Sequence, residues 1–122
     1  MARADYPHAA RLRHPADFQR VLREGRVHPG GQILVRICPN DQGQARLGVA
    51  APRKYGNAVR RNRFKRLVRE AFRNLRADLG AVDVFVAPRR GLDEPSLEAI
   101  RRDLAAAPER AHAPGPRRRR RS

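Results

Sequence analysis

Apolar residues recur at Phe64, Leu67, Val68, Ala71, Phe72 and Leu75, spaced i, i+3, i+4, i+7, i+8 and i+11. That is the period of a helix with one buried face. At about 100° per residue the six share an arc of about 140°. Asn62, Lys65, Arg66, Arg69, Arg73 and Arg76 fall on the opposite side. Gly56-Asn57 reads as a turn and N-cap, since an Asn side chain accepts from the orphan amides two or three residues on. Asp78-Leu79-Gly80 is the matching C-cap signal.

The same reading places the other elements. His14-Pro15-Ala16-Asp17 starts a helix, with Pro at N1 and an acid in the first turn. Phe18, Val21 and Leu22 form its stripe, Arg20, Arg23 and Glu24 face out, and Gly25 ends it; so short a helix must pack on something to persist. After the Pro29-Gly30-Gly31 turn, with Val27 in a short edge strand before it, Gln32 to Cys38 (QILVRIC) reads as a strand. Ile33, Val35 and Ile37 take one face, and Leu34, Arg36 and Cys38 the other. Arg36 at mid-strand is either a solvated residue or part of a groove floor. Arg46 to Ala51 is a second strand, expected to run antiparallel to the first across the Pro39–Gly43 turn. Its Gly48 and Ala50 leave room for something to approach the sheet closely. Val82 to Ala87 is a third strand, which the helix should bring into one sheet with Arg46–Ala51. Pro95 sits at a good N1 position with Asp93, Glu94 and Glu98 around the first turn, and Leu97, Ile100 and Leu104 carry an amphipathic helix to Pro108. These elements imply an α+β single domain over residues 11–107, its helices on one side of the sheet and the other face available. Residues 1–10 read as a flexible basic arm. Residues 108–122, with five consecutive arginines and no core-forming residue, read as a disordered Arg-rich tail.

Charge changes what the central helix is for. The chain has 122 residues, 28 Lys plus Arg against 12 Asp plus Glu, and a net charge of +16. Such a balance favours a polyanionic partner. Only Lys54 and Lys65 are lysines; arginine binds phosphate bidentately and stacks on bases, which suits RNA. Ten of the basic residues lie between Arg53 and Arg76, with Glu70 as the one acid. Arg60, Arg61 and Arg63 occupy the first turn of the helix, where cations oppose the macrodipole by about 0.3–1 kcal/mol each. The arrangement makes sense where an anion docks, because helix N-termini and forked guanidinium donors both hold phosphate. A charge run is also the signature of a solvated helix face, and patterning alone leaves both readings open.

Other chemistry is sparse. His8, His14, His28 and His112 are scattered, and none stands at metal-ligand spacing with Cys or an acid. Cys38 is the single cysteine, which excludes an intramolecular disulfide; in its apolar run it reads as a small buried hydrophobe. There is no glycine-rich phosphate loop and no acid pair that reads as catalytic. No stretch approaches the 18–20 apolar residues of a membrane span, and the N-terminus lacks a secretory core, so the expected location is cytoplasmic. A reaction involving this chain would rely on binding and positioning.

The run Gly56 to Arg73, GNAVRRNRFKRLVREAFR, closely resembles the RNR signature of the bacterial ribonuclease P protein component, with Arg61-Asn62-Arg63 at the triplet. The resemblance spans about residues 11 to 104, Asp17-Phe18 and Val21 included. It implies an αβββαβα domain with a mostly antiparallel central sheet and a left-handed βαβ crossover, against the usual right-handed rule. It further implies a protein subunit that joins a catalytic RNA to remove the 5′ leader of precursor tRNA. Cleavage is then carried by that RNA and its magnesium, with no organic cofactor, no membrane and no obligate protein partner.

Carried onto this sequence, the RNA-contacting set is Arg53, Lys54, Asn57, Arg60, Arg61, Asn62, Arg63, Lys65, Arg66, Arg69 and Arg73. Phe18, Leu22 and Arg36 line the leader cleft, though Phe18 is equally a core residue of its helix. Leu22 and Arg36 stand where the family often has aromatics, which implies weaker stacking and stronger phosphate attraction. Pro52 and Tyr55 are atypical neighbours of the motif. A ribosomal or general RNA-binding structural protein would carry the same charge signature and is the alternative. A DNA-binding module is disfavoured because strands, not a short-spaced second helix, flank the basic helix.

Overall fold

The computed structural model describes residues 10–89 and 94–110. In chain order it contains α1 (Pro15–Glu24), β1 (Arg26–Pro29), β2 (Ile33–Pro39), β3 (Arg46–Val49), a 3-10 turn (Arg53–Tyr55), α2 (Ala58–Leu79), β4 (Val82–Pro88) and α3 (Leu97–Arg110). This is the expected αβββαβα order. α2 starts at the Asn57 cap, whose side chain accepts from the Arg60 amide at 2.9 Å, and ends at Gly80, where φ is +81°. Only glycine adopts that backbone readily.

The four strands lie in the order β1-β2-β4-β3. β1 with β2 and β2 with β4 are antiparallel, while β3 with β4 is parallel. The expected antiparallel pairing of Arg46–Ala51 with QILVRIC is therefore wrong: β4 lies between them. Period-two alternation assigns each strand its faces but says nothing about its neighbours. The strand-helix-strand unit around α2 does bring β3 and β4 together.

Alternation sorts the side chains onto two faces. Ile33, Val35, Ile37, Leu47, Val84 and Val86 meet Phe64, Val68, Ala71 and Phe72 of α2 and Ile100 and Leu104 of α3 in the main core. Asp103 of α3 is buried and accepts from the amides of Gln32 at 2.8 Å and Ile33 at 3.2 Å, tying α3 to the start of β2. The other face is not left open throughout, as the sequence pattern suggested. α1 packs there, joining Leu12, Val21 and Cys38 with the half-buried Phe18 and Phe85 in a second small cluster. The buried Cys38 agrees with its apolar setting. What approaches Gly48 is α1 itself: a Cβ there would stand 2.7 Å from the Phe18 ring and 3.2 Å from Leu12.

Three further expectations change. Arg20 does not face out; it turns under α1 to the wholly buried Asp83. α3 begins at Leu97 behind the Ser96 hydroxyl, which accepts from the Ala99 amide at 3.1 Å, so Ser96 rather than Pro95 marks its start. It also runs through Pro108 to Arg110. The hydrogen bond that proline forfeits falls in the final turn, where the ladder is already ending. Of the expected arm (1–10) and tail (108–122), residues 1–9 and 111–122 lie outside the described residues, while Ala10 is wholly buried in the main core.

Because Gly48 admits the Phe18 ring, Gly48→Val should lower stability by about 1–3 kcal/mol in urea unfolding, the usual penalty of overpacking. In a Phe18→Ala background the added penalty should shrink, since the clashing ring is gone.

Candidate nucleic-acid interface

The basic face of α2 follows from its amphipathic period. With Phe64, Val68, Ala71 and Phe72 buried, Asn62, Arg63, Arg66 and Arg69 project outward and are exposed, and Lys65 and Arg73 border them half-buried. From Arg60 to Arg73 the stripe is about 20 Å long at 1.5 Å per residue. Arg73 is ion-paired with Glu70 one turn back, and Arg76 donates to Gln44.

The head of α2 is more elaborate. Arg53 and Lys54 are exposed in the 3-10 turn that leads into it. Tyr55 ends that turn and packs on Phe64, ring centroids 5.4 Å apart. The Arg60 guanidinium carbon lies 4.5 Å above the Tyr55 ring centre, a cation–π contact. Gly56 gives the stem of Arg60 room, since a Cβ there would stand 2.5 Å from the Arg60 Cδ. Arg60 and Arg61 sit toward the core side of the first turn and are half-buried, unlike the outward Arg63. α2 has no acid in its own first turn. Glu94, just ahead of α3, reaches across instead and pairs with Arg63 at 2.9 Å and Arg60 at 3.5 Å. Its expected service to the α3 terminus is thus corrected. Gly56, Asn57, Val59, Arg60, Arg63 and Glu94 line an open concavity at this point.

The cleft residues lie on the opposite face of the sheet. Phe18 meets Phe85 edge-on, centroids 5.9 Å apart and planes at 88°. Leu22 is 46% exposed. Arg36 donates to the Leu22 carbonyl at 3.4 Å, and the sequence reading named both. It missed Phe85, which pairs with Arg36 across β2 and β4. Phe85 restores an aromatic to a face whose strand position carries Arg36. The alternation VDVFVA held the signal, for it sets Asp83 and Phe85 opposite Val84 and Val86.

Asp83 was missed as well. It accepts from Arg46 at 2.7 and 2.8 Å, from Asn40 at 2.8 Å and from Arg20. Arg20 also donates to the Cys38 sulfur at 2.9 Å and the Pro39 carbonyl at 3.1 Å. Asp17 of α1 approaches Arg46 at 3.5 Å. The hydrogen bond to Asp83 raises the pKa of Arg46 above its ordinary value against the opposing effect of burial, so Arg46 stays charged.

Comparison with known proteins decides what this pair of surfaces belongs to. The family model for ribonuclease P matches residues 6–112. The chain belongs to the ribonuclease P protein family. Among its relatives, the ribonuclease P protein component of Chlamydia trachomatis serovar D is 37% identical over 105 residues, covering 85% of this chain and 87% of the relative. That of a Roseiflexus species is 40% identical over 97 residues, covering 75% and 80%. The ribonuclease P protein of Thermotoga maritima, solved with a fluorophenyl thiourea, superposes with a TM-score of 0.72 at 33% identity, covering 82% of this chain and 98% of that one. The Staphylococcus aureus protein gives a TM-score of 0.69 at 33% identity, covering 79% and 89%. The α+β arrangement is thus that of the ribonuclease P proteins, and this chain has the role of a protein component of ribonuclease P. Among the described residues no helix is long and apolar enough to cross a membrane.

The Asn57 cap separates fold from interface in this ribonuclease P protein. Asn57→Ala should destabilise it by about 1 kcal/mol through loss of the bond to the Arg60 amide, read by thermal or urea unfolding. Asn57→Asp should keep most of that stability, because a carboxylate caps equally well.

Proposed function

We propose that the chain docks the catalytic RNA of ribonuclease P on the basic face of α2 and holds the 5′ leader of precursor tRNA in the cleft between α1 and the sheet. The observation that carries this reading is the first turn of α2, built of arginines with no acid of its own, on a helix whose opposite face is committed to the core. Arg53, Lys54, Asn57, Arg60, Arg61, Asn62, Arg63, Lys65, Arg66, Arg69 and Arg73 form the docking set. In the cleft, Phe18 and Phe85 offer ring edges and faces to bases, Leu22 an exposed apolar edge, and Arg36 a guanidinium for a leader phosphate.

The chemistry belongs to the RNA. Magnesium, held mainly by RNA phosphates, supplies the metal assistance to leader hydrolysis. Among the described residues no three His, Cys, Asp or Glu side chains stand together as metal ligands. What this chain supplies is cationic charge. Its arginines neutralise phosphates where catalytic RNA and leader converge, which weakens their mutual repulsion and lowers the magnesium the assembly needs. The partners are the catalytic RNA and precursor tRNA, the cofactor is the RNA-bound magnesium, and the setting is the cytoplasm.

Mixed with ribonuclease P RNA and precursor tRNA at low magnesium, the protein should accelerate release of the 5′ leader; an unchanged cleavage rate would refute the reading. Arg61→Ala combined with Arg63→Ala should weaken binding to the catalytic RNA and flatten the log–log salt dependence by about 1.4–1.8, two phosphate contacts' worth. The comparison is a titration of the variant and the parent across a potassium chloride series.

A further inference from the structure

The docking reading leaves one carboxylate at the head of α2 without a part. Glu94 contacts both Arg60 and Arg63, and its carboxylate uses the same forked guanidinium donors that a phosphate would take. Several other acids are engaged elsewhere: Asp83 with Arg20 and Arg46, Asp103 with the β2 amides, Asp17 with Arg46, and Glu70 with Arg73. Resting on the reading of α2 as the RNA-docking helix, we propose that Glu94 is a specificity-determining residue, a tethered anion that holds the phosphate position at the head of α2 until an RNA of fitting backbone displaces it.

Three observations support this role. The pair is weak enough to give way, because Glu94 and Arg63 are 34% and 47% exposed and ion pairs so open to water contribute little. It is not needed to fasten α3 to α2, since Phe64, Phe72, Ile100 and Leu104 already join the two helices in the buried core. A chain of net charge +16 binds any RNA through the sequence-independent phosphate term. Discrimination then has to come from an element that opposes the wrong partner. An internal carboxylate does so: an RNA that brings a phosphate squarely between Arg60 and Arg63 replaces it one for one, while a loosely placed backbone meets its repulsion.

Glu94→Gln keeps the shape and removes the charge. Binding of the full chain and the variant would be measured by fluorescence anisotropy against ribonuclease P RNA and an unrelated RNA of the same length, over a potassium chloride series. The variant should bind the unrelated RNA about 3- to 10-fold more tightly, with a salt slope steeper by about 1, and bind ribonuclease P RNA within about twofold of the parent. Glu94→Asp, which keeps the charge, should stay near the parent on both. Equal gains on the two RNAs would overturn the specificity role. No gain, or a loss, on the unrelated RNA would overturn the competition and leave Glu94 as a clip. Melting temperatures of parent and variants serve as the check on folding. Failure of the docking reading would appear in the parent, as no preference for ribonuclease P RNA; failure of the Glu94 role appears only in the variants.

Discussion

Asp83 is the joint of the molecule. A wholly buried carboxylate is tolerated only when its oxygens are filled, and here the donors come from three separate parts of the chain: Arg20 on α1, Arg46 on β3, and Asn40 in the loop between β2 and β3. Asp83 itself sits near the start of the central strand. One side chain therefore fastens the helix of one sheet face, an edge strand and a loop to the middle of the sheet. Arg20 and Arg46 keep part of their surface in water, which moderates the desolvation such a cluster would otherwise suffer. The clamp holds α1 through Arg20, with Asp17 beside Arg46. Beyond the clamp, Arg36 donates to the Leu22 carbonyl at 3.4 Å, and Leu22 stays exposed beside it.

The sheet divides two tasks. The buried face commits Ile33, Val35, Val84 and Val86 to α2 and α3, so the arginine stripe rests on the main core. The other face carries Phe85, Arg36 and Gly48 under α1. Strand alternation alone achieves the separation, because neighbours along β4 serve different faces: Val84 and Val86 pack against α2, Asp83 and Phe85 against α1.

Much of this was legible in the chain. The α2 stripe, the Asn57 cap, the Gly80 stop and the Pro15 start each rest on local chemistry within one helical turn, and each appears where the pattern placed it. The Gly56–Arg73 run was specific enough to indicate the family. What was not legible is tertiary. The place of β4 between β2 and β3 depends on which edges meet, a choice the two-residue period does not encode. Arg20 read as an outward residue because its partner Asp83 lies far along the chain, and Glu94 read as an α3 residue because Arg60 and Arg63 lie on a different element well back in the sequence. Gly48 read as room for a close approach, but that α1 makes the approach, and that Phe85 meets Phe18 there, depends on tertiary packing.

The position of β4 also governs the order in which the protein can be made. Val35 pairs with Val86, and Leu47 with Val84. Neither β2 nor β3 finds its central neighbour until the chain has been synthesised past α2, and such distant pairings close late. A growing chain thus presents the whole arginine-rich segment before it can complete the sheet, with only the β1–β2 pair formed ahead of it. In that interval the apolar stripe of α2 lacks the β4 and α3 side chains that complete its core, a state that invites aggregation. The ten basic residues between Arg53 and Arg76 make unfinished copies repel one another. The charge that suits the finished protein to a polyanion also keeps its half-made form in solution.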